Sequence, residues 1–597
     1  MKRKTSKEFK KNRHDTNLST DIIDTRIWHW THGVKAAFLV ALSFILYGQS
    51  IRFGYVLDDE IVITENAFVK SGIDGVWKIL TTESFTGYLG SQQDLVAGAR
   101  YRPLSLITFA LEYHFLGLNP HVSHFINVLL YAISVVLLAY VVICMRGHEP
   151  SGWMPGVPFI AAVFFAVHPV HTEVVANIKS RDEILSFLFA LLALVMFLRF
   201  YASRQKTQVL VGSVFFFLGL LAKENAITFL AVIPLVLYFF RKGNLWQIMR
   251  GCWPLLVASL LYLWIRYNAV GYILDSGKPV TGLMNNPFLE ATVAEKYATI
   301  FYTLGLYVKL LFFPHPLTHD YYPYHIPLIR WNDIRAILPC LLYLVMLGYA
   351  LLRFRKKEVA AFCVLYFVAT LSIASNIFFP IGTFMNERFL YMPSLGFCFW
   401  LAYVVKERIP EWIPYPKLKH VVSLGVVLLI GGVFSVKTMM RVPDWKDTFT
   451  LDQADVKVSR NSARANCFMG YGLYRKGIAA TSNEEKLRLF NEATPYIQKA
   501  LAIHPTYPDA LTTKAGLLAG YYQIDGDLKK LLNGFYYIQM SNPVPFVDEY
   551  LDYLERTDVR EELIPFYEKL ASGFQGKGNH ARAAYYRQRA NQLKGVQ

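Results

Sequence analysis

Residues 34–60 read VKAAFLVALSFILYGQSIRFGYVLDDE. Between Lys35 and Arg52 the run carries no charge, and its length is near the roughly 20 residues that a helix needs to cross a bilayer. It then breaks into Gly54-Tyr55-Val56-Leu57 and three consecutive carboxylates, Asp58, Asp59 and Glu60. Adjacent carboxylates at a membrane exit are costly to desolvate and repel one another. A solvated helix end is the plain reading of such a cluster. The rest of the chain favours a site, because its other clusters of charge and histidine return to the same side of the membrane.

The composition supports a membrane chain. Of 597 residues, 54% are hydrophobic and the mean hydropathy is +0.29, too apolar for a soluble domain. The formal charge of +17 lies largely in the N-terminal tail and in short basic loops, a positive-inside pattern rather than a nucleic-acid surface. Of the six cysteines, Cys144, Cys252, Cys340, Cys363 and Cys398 lie in or beside apolar blocks. Cys467 has no soluble partner, and no pair has metal-ligand spacing.

Working outward, residues 1–32 read as a basic cytoplasmic tail and residues 33–440 as a helical membrane domain. About eleven spans follow from the apolar blocks: Val34–Phe53, His124–Met145, Val157–Val167, Ile184–Phe200, Val209–Leu221, Ile227–Phe240, Trp253–Val270, Ile334–Leu352, Val359–Ile377, Leu390–Val405 and Val421–Val436. Parity makes Tyr297–Phe313 re-entrant or interfacial, given a cytoplasmic Arg353-Phe354-Arg355-Lys356-Lys357. Residues 441–597 are polar and amphipathic and form a second domain on the outer side. Small residues at helix crossings (Gly470, Gly472, Gly477) and prolines ending helix pairs (Pro505) are tetratricopeptide features, with an apparent insertion at 479–486. The fold expected is all-α.

Four clusters fall on the outer face: Asp58, Asp59 and Glu60; His168, His171 and Glu173 with Arg181, Asp182 and Glu183; Lys223 and Glu224; Glu387 and Arg388. Carboxylates can take a proton, and Lys or Arg can hold a phosphate. Each has a structural alternative. His168 and His171 with Glu173 have metal-ligand types, but a His-x-x-His pair is a weak signal. Lys223–Glu224 and Glu387–Arg388 are equally readable as ion pairs, and Arg181-Asp182-Glu183 as the start of a helix.

Taken together, YVLDDEIVITEN (55–66), YRPLSLITFALEY (101–113), GLNPHVSHFINVLLY (117–131), AVHPVHTEVV (166–175), SRDEILS (180–186), LAKENAITFL (221–230) and NERFLYMPSLGFC (386–398) resemble the polytopic GT-C class of glycosyltransferases. The nearer resemblance is to the transmembrane and tetratricopeptide repeat-containing O-mannosyltransferases. It covers most of the chain in the family's order. A third carboxylate after the acidic pair is a departure, as is the short, irregular repeat region.

The resemblance implies an inverting transfer of a monosaccharide, mannose in this family, from a polyprenyl-phosphate donor to Ser or Thr of exported proteins. Asp58 or Asp59 takes the hydroxyl proton. Lys223 and Arg388 bind the leaving phosphate, with Arg102 and Arg181 as further candidates. Glu60, His168, His171, Glu173, Asp182, Glu224 and Glu387 line the pocket, and Glu60 raises the pKa of the base. No obligatory metal or cofactor is expected. The expected partners are the lipid-linked donor and polypeptide acceptors gripped by the helical repeats. A bacterial inner membrane with a periplasmic site suits the architecture, and the endoplasmic reticulum is the alternative. Two other readings stay open: the same chemistry on a lipid or envelope-glycan acceptor, and a non-catalytic scaffold docking partners through its repeats.

Overall fold

A computed structural model describes residues 30–595, apart from 94–99, 148–154, 242 and 274–275. Most of the basic tail therefore lies outside the described residues. Among those described there is no strand, so the chain is all-α as expected. Its main membrane-domain helices are α1 (Trp30–Tyr47), α2 (Pro103–Leu116), α3 (Pro120–Arg146), α4 (Val157–Val167), α5 (Arg181–Ser203), α6 (Lys206–Ala222), α7 (Phe229–Phe240), α8 (Trp253–Val270), α9 (Val293–Phe312), α10 (Ile334–Phe354), α11 (Val359–Leu371), α12 (Ser394–Tyr403) and α13 (Pro416–Arg441). All eleven blocks read as spans fall on these helices.

Local chemistry sets several starts. Asn119 caps α3 by accepting from the Val122 N–H, with Pro120 in the first turn. Pro needs no acceptor there, so it suits that position. Thr292 and Glu295 form a reciprocal capping box on α9. Five helices are long and apolar enough to cross a membrane, and up to seven if each bent pair is one span. The chain is an integral membrane protein. One bent pair, Val157–Val167 with Pro169–Ala176, turns by 56° at His168-Pro169.

Burial separates the helices. The Val157–Ile184 stretch and α5 are buried almost throughout. The window in Ile334–Phe354 is 11% buried, against 67% for that in Ile178–Ser203. Leu338, Leu344, Val345, Leu351 and Leu352 on α10 are exposed, a face fit for lipid tails. α5 is thus the central post, and its N-terminal end carries Arg181, Asp182 and Glu183.

After α13 come α14 (Thr448–Val458), α15 (Ala463–Ala479), α16 (Asn483–Ile503), α17 (Pro508–Asp525), α18 (Leu528–Ser541), α19 (Pro545–Leu554), α20 (Leu563–Gly576) and α21 (His580–Leu593). They pack around a separate apolar core that includes Phe490, Ile497, Leu511, Phe535, Leu551 and Tyr567. Glycines allow the helices to touch. A Cβ at Gly470 would meet Ile497 at 2.6 Å, and one at Gly477 would meet Phe490 at 2.6 Å.

The two domains share a polar seam. The Ser459 hydroxyl donates to the Asp320 carbonyl (2.7 Å) and the Ser462 hydroxyl to the Asp320 carboxylate (2.9 Å). Asp455 on α14 pairs with Arg441 at 2.7 Å and accepts from the His319 backbone N–H at 2.9 Å. The acidic loop is tied in as well. The Gly54 N–H donates to the Lys446 carbonyl (3.2 Å), and the Leu57 N–H to the Thr448 hydroxyl (3.3 Å).

Candidate functional site

The three carboxylates after α1 have three different fates. Leu57 adopts a left-handed backbone, φ 51°, which costs a non-glycine residue about 1–2 kcal/mol. The turn sends Asp59 inward and leaves Asp58 partly exposed. Asp59 is fully buried. Its carboxylate accepts from the Val56 N–H at 2.8 Å and from the Lys179 N–H at 2.7 Å, so it pins the loop to the start of α5. Burial, with Asp58 adding its charge, pushes the Asp59 carboxyl up to about 7. Glu60 is exposed. The Asp58 side chain is 38% exposed, with the Lys179 ammonium 3.9 Å away. Burial acts to raise its pKa, but Lys179, Arg388, Arg464 and Arg100 together outweigh that and hold the carboxyl below its ordinary value. The carboxylate next to Asp59 that matters electrostatically is Asp58 rather than Glu60. The pKa of the more exposed aspartate, Asp58, is thus lowered, not raised.

A second cluster surrounds the outer end of α5. The Lys223 ammonium lies 2.6 Å from Glu183 and 3.6 Å from Asp182. Arg102 clasps Glu224 through two nitrogens, its Nε at 3.0 Å, and reaches Asp182 with Nη1 at 2.8 Å. The start of the motif YRPLSLITFALEY is what places Arg102: Tyr101 is buried and Pro103 opens α2. Arg181 is sealed. Its side chain is 0% exposed, and the guanidinium binds Glu112, Asn127 (2.7 Å), Thr108 (3.1 Å) and the Ser123 carbonyl (3.0 Å). Of the four cations read as phosphate ligands, Lys223, Arg102 and Arg181 are therefore engaged with protein carboxylates or carbonyls. Arg388 is the most open, 22% exposed, with its Nη1 on Glu173 at 2.6 Å. Its Nε is buried without an acceptor.

The histidines are core residues. His168 Nε2 meets the Leu311 carbonyl at 3.0 Å. His171 lies between the Ser394 hydroxyl (2.8 Å) and the Tyr131 hydroxyl (3.1 Å). Among the described residues no group of three His, Cys, Asp or Glu has a metal-holding arrangement. Glu387 is buried and accepts from the Thr318 N–H at 2.6 Å and the Tyr321 hydroxyl at 2.8 Å. Burial pushes its carboxyl up to about 8, against the opposing charge of Arg441.

The structure adds three cations that the motifs did not mark. Lys179 lies between two of them, in Asn177-Ile178-Lys179-Ser180. Arg100 precedes the YRPLS motif and stacks on Phe85, its guanidinium 4.5 Å from the ring centre. Arg464 opens α15, in the other domain, and stacks on Tyr322 at 4.1 Å. A narrow cleft is lined by Arg100, Arg102, Lys179 and Asp182, with Ser84 and Phe85 at its side. A signal for Lys179 existed in its place one residue before a marked motif. No pattern in the sequence singles out Arg464.

No family model matches the chain. Among individual proteins, the human protein O-mannosyl-transferase TMTC3 is 28% identical over 488 residues, 76% of this chain and 50% of that protein. The human protein O-mannosyl-transferase TMTC1 is 27% identical over 520 residues, 80% of this chain and 56% of that protein. The Caenorhabditis elegans protein O-mannosyl-transferase F38B6.6 is 28% identical over 455 residues, 75% of this chain and 61% of that protein. The chain spans about half the length of the first of these relatives. The resemblance carried by the motifs is therefore matched by similarity over three quarters of the chain to proteins named protein O-mannosyl-transferases.

Proposed function

We propose that the protein transfers mannose from a polyprenyl-phosphate donor to a Ser or Thr hydroxyl of an exported polypeptide, with inversion. The observation that carries this reading is Asp58: a partly open carboxylate on the outer side, ringed by cations and set apart from a buried, structural Asp59. Asp58 accepts the hydroxyl proton as the acceptor oxygen forms its bond to the anomeric carbon. On the opposite face, the bond from that carbon to the phosphate oxygen breaks and its electron pair leaves with the polyprenyl phosphate. Nearby cations offset the charge gained by the leaving group. Arg388 is the sequence-marked cation best placed for that role. A carboxylate held below its ordinary pKa is ionised at neutral pH and so free to accept a proton, though as a weaker base than one poised near neutrality. The relatives' names supply the sugar and the acceptor class. The site faces the export side, the periplasm for a bacterial inner membrane, where exported chains pass.

The test uses the purified full chain with polyprenyl-phosphate mannose and an exported acceptor protein, read by mass spectrometry for added hexose. Wild type is expected to add it, and Asp58→Asn to lose about 10²–10⁴-fold in rate. Equal transfer by Asp58→Asn would move the base elsewhere. No transfer from this donor by a folded wild-type chain would remove the donor assignment.

A further inference from the structure

The backbone around Asp58 is anchored on both sides, by different domains. On its C-terminal side, the buried Asp59 carboxylate accepts from the Lys179 N–H at 2.7 Å and the Val56 N–H at 2.8 Å. That anchor lies within the membrane domain. On its N-terminal side, the Leu57 N–H donates to the Thr448 hydroxyl at 3.3 Å. Two further bonds run alongside: the Gly54 N–H donates to the Lys446 carbonyl at 3.2 Å, and the Gln49 side-chain amide to the Met439 carbonyl at 3.3 Å. This second anchor belongs to the segment that leaves α13 and opens the C-terminal domain.

Leu57 is where the second anchor matters. Its φ of 51° is a left-handed conformation that a non-glycine residue keeps only while its surroundings hold it. The Thr448 hydroxyl holds its N–H. With that bond gone the turn is free to relax, and because Asp59 stays pinned, Asp58 between them takes up the change in direction. Thr448 is itself fixed in place. It is the first residue of α14, whose start is capped by Asp447 accepting from the Thr450 N–H (2.8 Å) and hydroxyl (2.9 Å). Farther along the same helix, Asp455 pairs with Arg441 at 2.7 Å and accepts from the His319 N–H at 2.9 Å. The place of the hydroxyl is therefore set by how α14 docks at the seam.

We propose that Thr448 is a positioning residue: its hydroxyl holds the Leu57 turn, so that the docked C-terminal domain fixes the direction in which Asp58 points. This rests on the preceding subsection for the role of Asp58 as the base. It gives the C-terminal domain a part in the transfer step, separate from any grip on acceptors. Thr448 is exposed, so water replaces the lost bond at little cost to the fold, while a misdirected base slows the reaction.

The experiment uses the full chain in lipid nanodiscs as wild type, Thr448→Val, Thr448→Ser and the double variant Leu57→Asn with Thr448→Val. Valine keeps the shape of threonine and has no acceptor, and asparagine tolerates the left-handed region. Hydrogen–deuterium exchange is followed in peptides covering residues 54–60 without substrates. In parallel, kcat and donor KM are measured for mannosyl transfer. Thr448→Val is expected to speed exchange in that stretch and to lower kcat by about three- to tenfold, the scale of one neutral hydrogen bond. Its donor KM and melting temperature should match wild type, and Thr448→Ser should behave as wild type throughout. Leu57→Asn should recover part of the lost kcat in the Thr448→Val background, since it eases the turn without the brace. Should Thr448→Val not fold, Thr448→Ala carries the same test.

A folded Thr448→Val with wild-type exchange and wild-type kcat would overturn the brace, even with mannosyl transfer established. Faster exchange with an unchanged kcat would overturn the positioning role. Faster exchange in Thr448→Val, with no transfer by wild type, would support the brace on Leu57 and sink the transferase reading.

Discussion

Two clusters of charge sit at the same end of the helix bundle, and they are built on opposite plans. Around Lys223, each of Asp182, Glu183, Glu224 and Arg102 has an opposite charge at 2.8 Å or closer. Around Asp58, Lys179 keeps its distance, while Arg100 and Arg464 lean on aromatic rings instead of carboxylates. Both clusters look alike in the sequence, as short runs of mixed charge beside apolar blocks. The contrast teaches that charge at a membrane edge is not in itself a mark of chemistry. The saturated cluster fastens α5 to α2 and α6, and the unsaturated one has capacity left for something else.

The comparison can be broken most forcefully at the saturated cluster. Lys223→Met should leave Glu183 buried without its nearest cation and take one of several from Asp182, and removing one partner of such a buried pair costs about 3–5 kcal/mol. Size-exclusion profiles and thermal melts of the purified variant should show a large loss of folded protein. Asp58→Asn should leave the same profiles nearly intact while abolishing transfer. A stable Lys223→Met enzyme with an impaired donor KM would reverse the roles assigned to the two clusters.

A smaller loss is expected for Asp59→Ala, which removes two backbone hydrogen bonds and costs about 1–3 kcal/mol. It should lower the melting temperature more than Asp58→Ala does. The seam should respond to pH in a defined direction. Glu387 is pushed up to about 8 and Asp452 to about 7, both chiefly by burial. A carboxyl raised in the folded state binds more protons there than when unfolded. The stability it contributes is complete below the ordinary carboxylate range and is lost as pH rises through the raised value. Melts should therefore fall between about pH 4 and pH 8, and Glu387→Gln with Asp452→Asn should flatten that slope. Asp455 works the other way: burial is outweighed by Arg441 and His319, which hold its carboxyl down to about 2. Its share is present at neutral pH and fades only in strong acid.

The smallest effect is expected from metal removal. Because His168 and His171 spend their nitrogens on a carbonyl and hydroxyls, EDTA should leave the transfer rate unchanged. A rate restored specifically by one divalent cation would overturn that reading of the histidines.

Much of this was legible in the sequence, and the parts that were not share a physical cause. Apolar block length placed the helices of the membrane domain, and the charge that follows α1 pointed to the outer loop. Which aspartate stays exposed was hidden, because it depends on the left-handed turn at Leu57 and on the Lys179 N–H far along the chain. Arg102, Arg181 and Lys223 were readable as cations in motifs, but their saturation by Glu224, Glu112 and Glu183 is a matter of packing. The stacking of Arg464 on Tyr322 was invisible because nothing in a soluble helix start marks it as facing a loop of the membrane domain.

The two backbone bonds from Gly54 and Leu57 to Lys446 and Thr448 have a consequence for biosynthesis. They join the first outer loop of the chain to a segment made only after every membrane helix. Contacts between such distant segments form late, after the intervening chain has been ordered. A ribosome-bound intermediate that has already exposed Asp58 lacks this brace. The protein should thus be inert through most of its own translation and insertion, and become competent only when residues 446–448 dock.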